Sequence, residues 1–291
     1  MNFDILKVKT LHLEPTSRCN AACPQCARYQ DDGITLNPNI EIRDLTLAKL
    51  TEKLNDNFIA QLDKMFMCGI YGDPAASNQS LAIYDWFRHI NPNITLGMNT
   101  NGSLRNPHWW SLLGQRLNKL EDYCVFSIDG LENTNHIYRR NTIWSKIMKN
   151  AQSFIDSGGR AHWDMLVFKH NEHQVDECKQ LAKDMGFVAF RAKVSKRFIS
   201  KPIAGLEPPE IYNPQLRIGG NISCHAMNEK SIYMNYRGEL LPCCWLAAEK
   251  YTINDFNDII DKWTPTCATN CAIVNNSSNF GRQWFREEYF K

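Results

Sequence analysis

The sequence has no run of about 18 apolar residues, so no part of it reads as a membrane span. No apolar segment follows the opening Met1-Asn-Phe-Asp4, so the pattern of a secretory signal is missing and a cytoplasmic setting is expected. An excess of charge of either sign is missing: 33 Lys and Arg against 31 Asp and Glu leave +2. That excess is too small for a protein that coats nucleic acid. Repeats and low-complexity stretches are also missing. What is there is a chain of 291 residues, 43% hydrophobic. It is long enough for one large α/β domain, or for a domain with a small appendage. It carries 11 cysteines, an odd number. Without a signal segment they are expected to be reduced thiols serving as metal ligands rather than disulfides.

The densest chemistry lies in Glu14-Pro-Thr-Ser-Arg-Cys-Asn-Ala-Ala-Cys-Pro-Gln-Cys-Ala-Arg28. Cys19, Cys23 and Cys26 are spaced C-x3-C-x2-C, and no fourth cysteine follows before Cys68. Three thiolates on one loop suit three corners of an iron–sulfur cubane and leave one iron open. A structural zinc loop needs a fourth ligand, and His12 is the near candidate. Alternating strand and helix patterns follow. Strands are expected over Lys7–Leu13, Lys64–Ile70, Ile94–Met98, Tyr123–Ile128, Ala161–Phe168 and Phe187–Ala192. Helices are expected over Leu45–Ile59, Leu81–Ile90, Pro107–Leu117, Ile143–Ile155 and Gln174–Met185. About six βα units imply a parallel sheet with crossover helices. Periodicity fades after Arg197, and prolines at 202, 208, 209 and 214 mark a linker. Beyond it lie five cysteines and a hairpin-like Ile232–Leu241, a unit small enough to need metal to hold it.

The trio resembles the signature of the radical S-adenosylmethionine (radical SAM) enzymes. The resemblance implies a 4Fe-4S cluster on Cys19, Cys23 and Cys26, with the amino and carboxylate groups of SAM on the fourth iron. Reductive cleavage of SAM would then give a 5′-deoxyadenosyl radical that abstracts hydrogen from substrate. Further segments are similar in the expected order. Gly72-Asp73-Pro74 resembles the family's Gly-Gly-Glu-Pro turn, with Tyr71 and Asp73 replacing a glycine and the glutamate. It implies that Gly72 and Asp73 receive the SAM ammonium. Asn99-Thr-Asn101-Gly102 and Ser127-Ile-Asp129-Gly130 end the third and fourth strands. Asn99, Asn101, Ser127 and Asp129 are therefore implied at the SAM site. Arg139 or Arg140 is implied as the clamp on the SAM carboxylate, a bidentate task suited to guanidinium. Val167-Phe-Lys-His-Asn171 ends the fifth strand, with Lys169 or Asn171 reaching SAM.

Cys224, Gly238 and Cys243 fall as C-x13-G-x4-C, followed by Cys267 and Cys271. This resembles the SPASM or Twitch extension. It implies a second, auxiliary 4Fe-4S cluster on Cys224, Cys243, Cys267 and Cys271, with Cys244 competing with Cys243. A four-cysteine zinc site satisfies the same count. Cys68, Cys124 and Cys178 read as small buried hydrophobes. The fold implied is a six-stranded partial (βα)6 TIM-like barrel over residues 1–200, then linker and auxiliary domain over residues 201–291. The substrate implied is a peptide or protein side chain, with a small sugar-alcohol or nucleoside as the alternative. The electron donor would be a flavodoxin or ferredoxin. A non-catalytic iron–sulfur carrier or a zinc-stabilised nucleic-acid binder is the reading from another class. The basic run Lys193, Lys196, Arg197 and Lys201 lies where substrate would enter. The aromatic tail Phe280–Phe290 is expected to dock on the barrel.

Overall fold

The structure is a computed structural model. It describes residues 3–195, 197–210, 222–249, 251–271 and 289–290. Strand β1 (Thr10–Leu13) leads into the cysteine loop. Helices α1 (Leu47–Lys53) and α2 (Asp56–Ala60) then precede β2 (Lys64–Met67). Next come α3 (Ser80–Ile90), β3 (Thr95–Thr100), α4 (Pro107–Arg116) and β4 (Tyr123–Ser127). The core closes with α5 (Glu132–Tyr138), α6 (Trp144–Asp156), β5 (Ala161–Val167), α7 (Val175–Asp184) and β6 (Ala189–Val194). After α8 (Arg197–Ser200) the second segment holds α9 (His225–Asn228), β7 (Ser231–Met234), β8 (Leu240–Leu241), α10 (Phe256–Lys262) and α11 (Pro265–Cys271). Among the described residues no helix is long and apolar enough to cross a membrane.

β1 to β6 pair in parallel and in chain order, as the βα alternation predicts. Period two along each strand decides the two faces. Leu11 and Leu13, Met65 and Met67, Leu96 and Met98, Cys124 and Phe126, and Trp163 and Met165 pack in one core with Tyr84, Trp110, Ile147, Phe154 and Ala182 of the helices. The intervening positions face the other way. They read His12 and Glu14, Phe66 and Cys68, Gly97 and Asn99, Tyr123 and Ser127, His162 and Asp164, and Arg191 and Lys193, a mostly polar series. The helix layer thus covers one face and leaves a polar face for chemistry.

Three details differ from the sequence reading. The sheet has eight strands, not six, in the order β6-β5-β4-β3-β2-β1-β7-β8. β7 lies parallel to β1, Thr10 opposite Ser231, and β8 pairs antiparallel to β7. A lone hairpin is marginal in water, so it completes itself on the edge that β1 would otherwise leave open. The helix expected over Leu45–Ile59 breaks at Leu54, which is extended, and Asn55 restarts it by accepting from the Phe58 amide at 2.8 Å. Cys68 lies just past β2 and packs half-buried beside Phe66, Tyr123 and Val125 of the polar-side series, away from the helix core. Cys124 and Cys178 are fully buried in the main core, as expected. The tail is described at Tyr289 and Phe290, where Tyr289 bridges Ala189 and its ring meets His162 edge-on. The rest of the tail, Lys196, Pro214 and the other residues of 211–221 lie outside the described residues.

Candidate active site

The loop after β1 is held by elements far apart in sequence. Arg18 carbonyl accepts from the Asp73 amide at 2.8 Å, and Arg140 carbonyl accepts from the Ala22 amide at 2.9 Å. Lys201 Nζ donates to the Cys26 carbonyl at 2.8 Å, and Ser195 Oγ donates to Gln25 at 3.0 Å. Gly72 is required where it stands, because a Cβ there would lie 1.9 Å from the Thr16 carbonyl oxygen. The turn after β2 therefore rests directly on the cysteine loop.

Cys19, Cys23 and Cys26 share one packed cluster with Ala21, Tyr138, Phe168 and Leu206. Each thiol has its own N–H donor. Asn101 Nδ2 lies 3.7 Å from Cys19 Sγ, Arg139 Nη1 3.8 Å from Cys23 Sγ, and the Arg28 amide 3.5 Å from Cys26 Sγ. Burial raises the Cys19 thiol above its ordinary value, and nearby Asp73 and the other thiols add to this. Burial likewise pushes Cys23 up to about 11, with Arg139 pulling it back. Such thiols ionise when a cationic group binds them, and the donors are already set to receive the charge.

The other residues singled out in the sequence divide. Asn101 reaches the loop, donating also to Asn20 Oδ1 at 3.0 Å. Asp129 is fully buried and pairs with Arg139 Nε at 2.6 Å. Arg139, not Arg140, is the arginine turned to the cysteines, while Arg140 is exposed and offers its backbone carbonyl. Burial works against the Arg139 charge, but Asp129 and then Cys23 more than restore it and hold its pKa above the usual value. Ser127 ends β4 opposite Asp164, and Asn99 lies on β3 opposite Val125. Asp73 uses its carboxylate on β3: Oδ1 accepts from Thr100 Oγ1 and the Ala75 amide, and Oδ2 from the Asn101 amide at 2.7 Å. It braces one strand-end turn against the next. Lys169 is not brought to the loop. It is exposed and pairs with Glu207 at 3.0 Å. Asn171 is fully buried, ties the turn after β5, and donates to the Asp129 carbonyl at 2.9 Å.

The second cysteine group is built from short pieces. Cys243 and Cys267 share an apolar cluster with Leu246, Ile259 and Trp263. Cys224, Cys243, Cys267 and Cys271 line one pocket of about 640 Å³ of empty space, its mouth included, which reaches Tyr233 and His12 on the sheet. Burial pushes Cys243 up to about 12 and Cys271 up to about 11, with Cys224 acting on both. The amides of Leu246 and Trp245 pull Cys243 back, and those of Met227 and Ala226 do the same for Cys224. Thr264 Oγ1 donates to Cys267 Sγ at 3.4 Å. Cys244 lines the same pocket and is buried against Tyr233 and Leu241. None of the eleven cysteines is in a disulfide. Among the described residues no three His, Cys, Asp or Glu side chains stand close enough together to hold a single metal ion.

This architecture occurs in solved structures. The fold is shared with SuiB of Streptococcus suis. SuiB bound to the precursor peptide SuiA is 15% identical, with 92% of this chain and 68% of that one covered and a TM-score of 0.62. SuiB bound to S-adenosylmethionine is 17% identical over 89% of this chain and 67% of its own, with a TM-score of 0.58. Native anSMEcpe with bound AdoMet and Cp18Cys peptide is 15% identical over 91% of this chain and 82% of that one, with a TM-score of 0.57. At such identity the likeness is one of fold. No protein-family model matches the chain, and no curated protein does.

Residues that sequence reasoning missed lie between the two cysteine groups. Glu14 is fully buried; Oε1 accepts from the amides of Tyr71 at 2.6 Å and Gly72 at 3.1 Å, and Oε2 from the Tyr233 hydroxyl of β7. Burial pushes its carboxyl up to about 7 against these hydrogen bonds. Arg28 donates to the carbonyls of Ser17 and of Tyr71, the latter at 3.0 Å. Their position at either end of the cysteine segment was the available signal.

Proposed function

We propose that this chain is a radical SAM enzyme that abstracts hydrogen from a peptide or protein side chain. The observation that carries the reading is that each of the three loop thiols is met by its own N–H donor, two of them, Asn101 and Arg139, brought from distant parts of the fold and one, the Arg28 amide, from the loop itself. Hydrogen bonds to cluster sulfurs tune potential, and such donors suit ligands that carry negative charge. In this reading Cys19, Cys23 and Cys26 hold a 4Fe-4S cluster and leave one iron to SAM. When bound, that cluster supplies the electron that splits SAM into methionine and a 5′-deoxyadenosyl radical.

The chain's own residues orient and enclose. Arg139, fixed by Asp129, presents a guanidinium beside Cys23 for the SAM carboxylate. Asn101 and the Gly72-Asp73 turn shape the opposite wall, and Ser127 and Asn99 supply the polar face toward substrate. Tyr138, Phe168 and Leu206 keep water from the cysteines. Cys224, Cys243, Cys267 and Cys271 are proposed to hold an auxiliary 4Fe-4S cluster that assists net oxidation or bond formation. The division at residues 200 and 201, a cytoplasmic setting and a flavodoxin or ferredoxin donor belong to the same proposal. Peptide as substrate is favoured because the SuiB and anSMEcpe structures that share the fold hold peptides.

The test is anaerobic reconstitution with iron and sulfide, reduction by dithionite, and chromatography for 5′-deoxyadenosine after addition of SAM. Slow formation without substrate is expected. No 5′-deoxyadenosine from protein with a fully loaded first cluster would reject the reading.

A further inference from the structure

The basic run that starts with Lys193 near the end of β6 lies where the sequence places substrate entry. Strand parity divides it. Phe190 belongs to the helix-side core, so Arg191 and Lys193 project from the polar face. Asp164 projects from the same face of β5, directly opposite Arg191. Its Oδ1 accepts from Arg191 Nε at 2.9 Å and its Oδ2 from Lys193 Nζ at 2.6 Å. Burial works against the Asp164 charge, but Lys193 and then Arg191 outweigh it and hold the carboxyl below its usual range. The Asp164 and Arg191 side chains are 11% and 13% exposed, whereas Lys193 is 41% exposed. A buried carboxylate thus holds the stem end of an ammonium whose three hydrogens are not all used on it.

Lys193 also shares the polar face of the sheet with Asn99 and Ser127. The Cys68 thiol on the β2 side feels Lys193 and Arg197 as cations that favour its ionised form. β2 and β6 are separated by three strands in the sheet. Asp164, which holds Lys193, lies directly opposite Ser127 at the end of β4, so the pair stands on the sheet face that carries the strand-end residues of the candidate site. The acids that could neutralise Lys193 there are committed: Asp129 to Arg139, Glu14 to Tyr233 and the Tyr71 and Gly72 amides, and Asp73 to Thr100, Ala75 and Asn101.

Resting on the function proposed above, we propose that Lys193, braced by Asp164, binds a carboxylate on the substrate, the acidic side chain of a Glu or Asp near the residue that reacts. Two cations, Arg191 and Lys193, on one carboxylate, Asp164, leave one positive charge, which matches a monoanion rather than a phosphate dianion. Arg139 stands on the α5 side beside Cys23, so the SAM carboxylate and this subsite do not compete for one cation.

The probes are two blocked tripeptides, acetyl-Ala-Glu-Ala-amide and acetyl-Ala-Gln-Ala-amide, titrated calorimetrically into reconstituted protein with SAM present. The Glu peptide is expected to bind about tenfold more tightly than its Gln isostere, and salt should narrow the ratio. Lys193→Gln should bring the ratio to about one, and Lys193→Arg should keep most of it. Circular dichroism confirms that the variants fold; Lys193→Met serves if Gln does not. Equal binding of the two peptides, or an unchanged ratio in Lys193→Gln, overturns the proposal. So does a tenfold loss of SAM affinity in Lys193→Gln with the peptide ratio intact, which would give Lys193 to the SAM carboxylate. Failure of SAM cleavage with an intact Glu-over-Gln ratio would reject the radical reading and leave the subsite standing.

Discussion

The two cysteine groups are made in opposite ways. The N-terminal trio sits on one short loop, but its hydrogen-bond donors come from Asn101 after β3, Arg139 after α5 and the Arg28 amide. The C-terminal four are spread over 48 residues, yet their helpers are local: the Trp245 and Leu246 amides for Cys243, the Ala226 and Met227 amides for Cys224, and Thr264 for Cys267. A site with an open position must be aimed, and aiming needs contacts from rigid strand ends. A site closed by four of its own ligands needs a turn around each ligand and little else.

The largest expected effect separates the groups outright. Replacing Cys19, Cys23 and Cys26 by Ala together should abolish 5′-deoxyadenosine formation and lower iron from about eight to about four per chain. Replacing Cys224, Cys243, Cys267 and Cys271 should lower iron equally and leave slow SAM cleavage. Loss of cleavage in both variants would mean the groups are not independent. Next, Cys243→Ala should remove the second four irons while Cys244→Ala keeps them, measured by iron assay and Mössbauer spectroscopy. The reverse result would place Cys244 among the ligands despite its packing on Tyr233 and Leu241.

The supporting contacts give smaller effects. Asp73→Asn should lower the unfolding free energy by about 1.5–3 kcal/mol in urea melts, because a charged acceptor for Thr100, Ala75 and Asn101 is lost. Unchanged stability with weakened SAM binding would return Asp73 to the ammonium role that the sequence suggested. The effect of Glu14 is spread over about two and a half pH units, so it is small at any one pH step, and its sign is fixed. Its carboxyl pKa is about 7 in the fold against 4.5 ordinarily. Stability from this group is fully present below 4.5 and is lost as pH rises toward 7, since the unfolded chain releases the proton first. The slope is at most about 1.4 kcal/mol per pH unit. Glu14→Gln should remove that slope, read as the difference between wild-type and variant melts from pH 4.5 to 7.5. Parallel profiles would mean that Glu14 is ionised in the fold.

What the sequence made legible was whatever is local. The trio is contiguous, and the βα alternation follows from apolar pairs such as Leu11 and Leu13 or Met65 and Met67. What it hid depends on direction. Arg139 and Arg140 are neighbours with opposite fates, decided by where α5 ends. Lys169 leaves its turn on the outside, toward Glu207, while Asn171 two residues on turns inward. Asp73 resembles a ligand-facing residue in sequence, and its partners Thr100 and Asn101 come almost thirty residues later. Glu14 and Tyr233 are 219 positions apart, and no local pattern joins them.

That last distance has a consequence for how the protein is made. β1 is synthesised more than two hundred residues ahead of the strand that completes its edge, which begins at Ser231. At about 5–20 residues per second, β1 waits roughly ten to forty seconds for β7 to be translated. During that interval one side of β1 is an unpaired strand edge, and the Glu14 carboxyl has no phenol to meet. Nascent chains arrested before Ser231 should therefore be the species that aggregate or recruit chaperones, and release past Leu241 should end that vulnerability.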